Sequence, residues 1–448
     1  MGGETIRLAE FAAQLQFEAL PAPVVQRAKD AIADTIATVV FGRSLPWSAI
    51  IVAHARRMGG GGRSRILGDG EGAVTAPYAA LANGALAHAF ELDGATRPSA
   101  GAHPGATIFT AALALAQERG FSGRQLLAAF IAGCEVMIRI GRATKHSNET
   151  RGFHAPGTTG PFGAAVACGH LLGFDAERMT NALGIAGSLS SGLVEFSRSG
   201  NGAMVKRLHF GRAAEGGLLA ASLAADGFTG PSMVIEGDCG FLNAFCDEHD
   251  VTELTRGLGN TWLTSRISMK RYACHTAGHT PVQAIVDIKA KGPIETRDVQ
   301  SVEVRVGKKE LNRHNIRDPS DVMIGQYSVP FCVALAIVAD ARDPRTFRDA
   351  DVNNSELRSL MERIRLVPWE TPRPSPIAST VTMTMRDGRV LRAEVTDFKG
   401  TPENPLIAHE LREKVLLLTR DHDAARMTAM FNRLLNLEKE AILDWISV

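Results

Sequence analysis

The sequence predicts a mainly α-helical chain, with a large helical domain and a smaller α+β domain, on three observations. Apolar residues recur at helical spacing through the first two-thirds of the chain. Near residue 265 that pattern gives way to strict apolar/polar alternation. Aromatic residues are sparse at 6%, while alanine and glycine are plentiful. That composition favours closely packed helices over an aromatic-rich β sandwich.

The elements follow in order. "PVVQRAKDAIADTIATVVFG" carries helical periodicity between a proline at its start and a glycine at its end. "TAPYAALANGALAHAFELD" reads as helix, and "GATIFTAALALAQERGFSGRQLLAAFIAGCEVMIRIGRAT" as two helices broken at "GFSG". "TGPFGAAVACGHLLGFDAERMTNALGIAGSLSSGL" and "HFGRAAEGGLLAASLAADGFTGP" are apolar nearly all round and studded with small residues, the pattern of helices buried in a bundle. "GGGGR" at 59–63 lacks a phosphate-loop ending and reads as a flexible loop. "VQSVEVRVGKKE" alternates like a half-buried strand. "STVTMTMRDGRVLRAEVTDF" is two such runs joined by Asp387-Gly388, a hairpin turn pair. Helical patterns at "HTPVQAIVDIKAK" and "YSVPFCVALAIVAD" interleave with these strands, and the tail from "NPLIAHELREKVLLLTR" is helical again. The expected division is an all-helical domain over 1–267, an α+β domain over 268–400, and C-terminal helices over 401–448 that return to the first domain.

The 448 residues carry a formal net charge of +1, which supplies no electrostatic reason for a nucleic-acid or anionic-membrane partner. No stretch approaches the roughly 18 uninterrupted apolar residues of a membrane span. The six cysteines form no CxxC pair, and reduced thiols in a cytoplasm fit them best.

No HExxH and no GxSxG motif is present. His275 and His279 stand four apart in "KRYACHTAGHTP", a spacing that places two imidazoles on one helical face, but no third ligand completes a zinc site. No metal is expected. Polar residues scattered among small ones carry more: Asp93 and His103 in "ELDGATRPSAGAHPGA", His154 in "RGFHAPGT", Lys206 in "AMVKRLHFGRAA" and Tyr327 in "IGQYSVP". Several adjoin glycine or proline, where helices end and can present a polar group to a cleft. Singly, each has a bland reading: a helix cap, a loop histidine satisfying a carbonyl, a half-buried core tyrosine.

The ordered series "HAFELD…AHPGA", "RGFHAPGTTGPFGAAVACGHLLGFD", "ALGIAGSLSSGLVEF", "KRLHFGRAAEGGLLAASLAADGFTGP" and "IGQYSVP" resembles the MmgE/PrpD family over most of the chain. That family includes 2-methylcitrate dehydratase, cis-aconitate decarboxylase and iminodisuccinate epimerase. The resemblance implies an all-helical domain with an α+β lid, a homodimer, a small polycarboxylate as substrate, and neither metal nor organic cofactor. It places catalysis on Asp93, His103, His154, Lys206 and Tyr327, joined by a histidine of "KRYACHTAGH", either His275 or His279. His275 is set with the catalytic groups. Carboxylate binding falls to Arg97, Thr158, Lys270 and His279, with "GTTG" offering backbone N–H groups at a helix start.

One departure matters. Dehydratases and decarboxylases of the family resemble one another in an Asp-Asp-Thr-like run, whereas this chain reads Asp93-Gly94-Ala95-Thr96-Arg97-Pro98. An arginine at the hydroxyl position adds a bidentate carboxylate clamp, which suits a substrate rich in carboxylates. Epimerisation of iminodisuccinate is therefore the leading expectation. Dehydration of 2-methylcitrate, or cis-aconitate-type decarboxylation, is the alternative. A polycarboxylate-binding dimer without turnover is the non-enzymatic one.

Overall fold

The computed structural model describes residues 3–197, 203–369 and 372–447. Helices Ala22–Arg43, Ala76–Ala87, Gly123–Ala143, Ala155–Leu171 and Val205–Ala225 make the central bundle. Every residue of the 155–171 helix except His170 is buried, which matches its lack of a polar face. Small residues set how closely these helices approach. A Cβ added at Gly211 would lie 2.2 Å from the Leu81 carbonyl oxygen, and one at Gly217 would lie 2.3 Å from the Ala164 Cβ. The 76–87, 205–225 and 155–171 helices therefore meet at backbone range.

The expected break at "GFSG" is a left-handed Gly120 (φ 76°) followed by a Ser122–Gln125 capping box that starts the 123–143 helix. "GGGGR" is more ordered than a flexible loop. Gly60–Ser64 runs extended and bridges to Val74.

Beyond residue 267 the chain builds a four-stranded sheet in the order Ile364–Pro368, Val299–Val306, Ser379–Met385, Val390–Val395. The first pair is parallel and the other two are antiparallel. Gly388 takes the positive φ (87°) that the Asp387-Gly388 turn requires. Val299, Val302, Val304 and Val306 turn one face inward. Helices Thr276–Lys289 and Val329–Val338 pack together, with the first lying against strands Ser379–Met385 and Val390–Val395.

Helices Ala408–Leu418 and Ala424–Leu434 then return to the 22–43 helix. Lys414 Nζ pairs with buried Asp34 at 2.5 Å, and Lys29 Nζ donates to the Leu435 carbonyl at 2.8 Å. The result is a mainly α architecture with a compact α+β portion. Among the described residues, no single helix is long and apolar enough to cross a membrane.

Candidate active site

The 76–87 helix stops at His88, and the next five residues turn tightly. Glu91 adopts a left-handed backbone (φ 58°), uncommon for a residue with a Cβ and a mark of strained functional turns. Its buried carboxylate is the hub of the site. Lys270 Nζ donates to it at 2.9 Å, Tyr327 OH at 3.3 Å, and Lys206 Nζ in a shorter contact. Lys206 Nζ also donates to the Tyr327 oxygen at 2.5 Å. Burial alone would raise the Glu91 pKa, but the Lys206 and Lys270 ammoniums outweigh it and hold the carboxyl well below its ordinary range. Burial pushes Lys206 down, opposed by Glu91, and pushes Tyr327 well up, reinforced by Glu91.

Two residues on, Asp93 is completely buried and gives one oxygen to each of two imidazoles: His88 Nδ1 at 2.6 Å and His103 Nδ1 at 2.7 Å. Those imidazoles outweigh burial and keep Asp93 well below the usual carboxylate range. His88, Asp93 and His103 also bring their ligand atoms within 4.8 Å of one another. Their separations are those of hydrogen bonds, which already occupy both Asp93 oxygens. His88 Nε2 stands 3.2 Å from Glu91 Oε1 but lacks hydrogen-bond alignment, so it links the two carboxylate centres by proximity alone.

Phe210 packs the imidazoles apart. It stacks on His88 at 3.8 Å and meets His103 and His154 edge-on at 5.1 and 5.6 Å. His154 is the N-cap of the 155–171 helix, and its Nδ1 lies 2.8 Å from Nδ1 of His209. Burial, then the Lys206 cation, lowers the His154 pKa well below normal; His103 is lowered by burial against the pull of Asp93. From the α+β side, the His275 ring lies near-parallel to those of His314 (4.4 Å) and Tyr327 (5.1 Å). Gln326 fastens the two sides by donating to the Phe90 and Ala273 carbonyls at 3.1 and 2.9 Å.

The structure thus brings together Asp93, His103, His154, Lys206, Lys270, His275 and Tyr327. Two expected residues lie elsewhere. Thr158 is fully buried, and its hydroxyl donates to Ala155 O at 3.0 Å while accepting from Asn148 at 3.2 Å. The helix itself has used that hydroxyl. His279 does not share a face with His275, because His275 is the N-cap and lies outside the helix. The His279 ring instead packs on Tyr272 and Phe398, with Nε2 on the Cys274 carbonyl at 3.2 Å.

Arg97 directly follows the short pairing of Ala95–Thr96 with Ile267–Ser268, which ends two residues before Lys270. Its side chain is open to water yet surrounded by protein, as in the wall of a cleft. Burial lowers its pKa, with the Glu149 and Glu310 carboxylates pulling the other way. Among the described residues it forms no ion pair. Sequence reasoning missed Glu91, His88, His209 and His314. Glu91 and His209 nevertheless sit inside the "HAFELD" and "KRLHFGRAA" stretches, three residues or fewer from residues that were singled out.

Residues 6–254 match the MmgE/PrpD N-terminal domain, and residues 272–437 match the MmgE/PrpD C-terminal domain. The chain belongs to the MmgE/PrpD family. Its site draws on both MmgE/PrpD regions, with Glu91, Asp93, His103, His154 and Lys206 from the first and His275, His314 and Tyr327 from the second. The chain is 32% identical over 360 residues to a cis-aconitate decarboxylase of Aspergillus terreus, covering 75% of this chain and 72% of that protein. It is 24% identical over 405 residues to the cis-aconitate decarboxylase of Homo sapiens, covering 87% and 82%. A cis-aconitate decarboxylase-like protein of Aspergillus oryzae is 27% identical over 467 residues, covering 98% of this chain and 95% of its own length.

Proposed function

We propose that this MmgE/PrpD protein works, without a cofactor, at a carbon next to a carboxylate of a polycarboxylic acid, and that a cis-aconitate-type substrate loses carbon dioxide there and gains a proton in its place. The observation that carries the reading is the juxtaposition of imidazoles held neutral by burial with the Lys206–Lys270–Glu91 charge cluster. A neutral imidazole is a base or proton carrier near neutrality, and fixed cations stabilise the charge that develops when the carbon–carbon or carbon–hydrogen bond breaks. On this reading His103, oriented by Asp93, and Tyr327, hydrogen-bonded to Lys206, exchange protons with substrate alongside His154. In decarboxylation the carboxyl carbon leaves as carbon dioxide, and the electron pair it leaves behind takes a proton. Relatives named as cis-aconitate decarboxylases favour this outcome.

Epimerisation of iminodisuccinate is the second reading, and Arg97 favours it. A cleft-wall guanidinium that forms no ion pair among the described residues is available to a further carboxylate, and iminodisuccinate carries four. There the carbon keeps its carboxylate and receives a proton on the opposite face. Incubation with cis-aconitate and with iminodisuccinate in deuterated water separates the outcomes. Carbon dioxide release with one solvent deuterium taken up on the allylic carbons of the product is the expected result. Deuterium in recovered iminodisuccinate without gas release selects the epimerase. Loss of water from 2-methylcitrate would select the dehydratase, and inertness towards all three acids would overturn the catalytic reading.

A further inference from the structure

His154 and His209 meet through the same ring atom, at an Nδ1–Nδ1 distance of 2.8 Å with ring planes inclined by 50°. At that distance one nitrogen carries the proton and the other presents its lone pair, because two lone pairs or two N–H groups repel. The state of one Nδ1 therefore dictates the other, and with it the Nε2 that each neutral ring turns away from the contact.

The pair is built into the fold. His209 follows Lys206 by three residues on the 205–225 helix, so the two side chains are neighbours on its surface. Gly192 holds both histidines. Its carbonyl accepts the His154 backbone N–H at 3.0 Å, and its α-carbon lies on the His209 ring, where a Cβ would come 3.3 Å from Cγ and Nδ1. Gly192 also has φ 122°, a conformation that side-chain-bearing residues rarely adopt. Phe196 and Phe210 meet the His154 ring edge-on and fix its plane.

We propose that His209 is a positioning residue that accepts the Nδ1 proton of His154, leaving His154 Nε2 as a bare lone pair poised to take a proton. The inference rests on the reading of this site as an acid–base centre. Two observations set the direction of the hydrogen bond. His154 is buried, so an N–H on its free edge would have no water to donate to. His209 is only half-buried, so water can accept the Nε2–H that it must then carry. When His154 takes a proton at Nε2, its Nδ1–H keeps the His209 acceptor and the cation stays hydrogen-bonded. His103 has the same arrangement with an anionic partner, Asp93 at 2.7 Å, in place of a neutral one. The site thus holds two oriented imidazoles of different basicity, with His103 the stronger base and His154 the more readily deprotonated.

The test is nitrogen-15 histidine spectroscopy on the full-length protein, alongside kinetics. Wild-type His154, assigned by its loss in His154→Asn, should be the neutral Nδ1–H tautomer. His209→Phe keeps a ring in the Gly192 cradle but removes the acceptor. It should release that tautomer and lower kcat by about ten- to hundredfold with little change in KM. His209→Asn returns an amide oxygen near the lost nitrogen and should restore part of both the tautomer and kcat. An Nε2–H tautomer in the wild type overturns the proposal, as does a His209→Phe protein with the wild-type tautomer and rate. The tautomer readout needs no substrate. A protein inert towards polycarboxylates would sink the proposed reaction, while the role of His209 would still be decided by the spectrum.

Discussion

Glu91→Gln removes one charge from the centre of the site and keeps its shape. The wild-type carboxylate receives Lys206, Lys270 and Tyr327, all buried or nearly so. Removing one partner of a buried ion pair costs about 3–5 kcal/mol, because the other charge is left uncompensated. Here two ammoniums are left, but a glutamine oxygen still accepts from one of them, and Lys206 keeps the Tyr327 oxygen at 2.5 Å. The lower end of that range is therefore expected, about 3 kcal/mol. Glutamine carries the same Cβ, so the left-handed backbone at φ 58° neither worsens nor relaxes. An unfolding entropy of about 2.1 cal/mol/K per residue turns this loss into a fall of roughly 3 °C in Tm for a chain of this length. The pH dependence has a definite sign. Glu91 has a depressed pKa in the folded state, so its stabilisation is complete above the unfolded-state value and is lost as pH falls through the folded one. Scanning calorimetry should show the variant melting earlier at neutral pH and the two proteins converging in acid. A difference below about 1 °C at neutral pH would show that the lysines do not depend on Glu91.

Three further outcomes follow from the same geometry. His154→Ala should abolish most turnover while leaving the circular-dichroism spectrum unchanged, since an N-cap imidazole contributes little to the core; retention of near-wild-type rate would count against its role. Lys206→Met keeps the aliphatic stem and leaves Glu91 paired with Lys270, so it should cost rate and polycarboxylate affinity far more than monocarboxylate affinity, and a change confined to Tm would make Lys206 structural. Arg97→Thr should lower kcat/KM by about ten- to hundredfold, the worth of a charge-assisted bond of roughly 1.5–3 kcal/mol, with Tm unmoved and only partial recovery in Arg97→Lys. Equal small effects on cis-aconitate and on iminodisuccinate would remove Arg97 from substrate selection.

The helices and the hairpin were legible because their causes are local: periodicity, a Ser122 capping box, an Asp-Gly turn. The site was legible only where a motif marked it, because its contacts are not local. Lys206 meets Tyr327 across 121 residues, and Lys270 meets Glu91 across 179. No spacing rule reaches that far. Glu91 reads in sequence as one more acidic residue near a helix end, and only its left-handed turn and the convergence of two distant lysines make it the hub. The misplaced residues failed for equally specific reasons. The four-residue spacing of His275 and His279 presumes a shared helix, and the helix begins one residue after His275. Thr158 is expected at the carboxylate only through the resemblance, and a threonine in the first turns of a helix bonds its own backbone, here Ala155 O. Arg97 is the reverse case. Lys206 and Lys270 each pair with Glu91, whereas Arg97 forms no ion pair among the described residues, which is why the proposed reading gives it to a ligand carboxylate. On the reading proposed above, the departure from the hydroxyl-bearing pattern then falls on the residue whose substitution tests which polycarboxylate is taken.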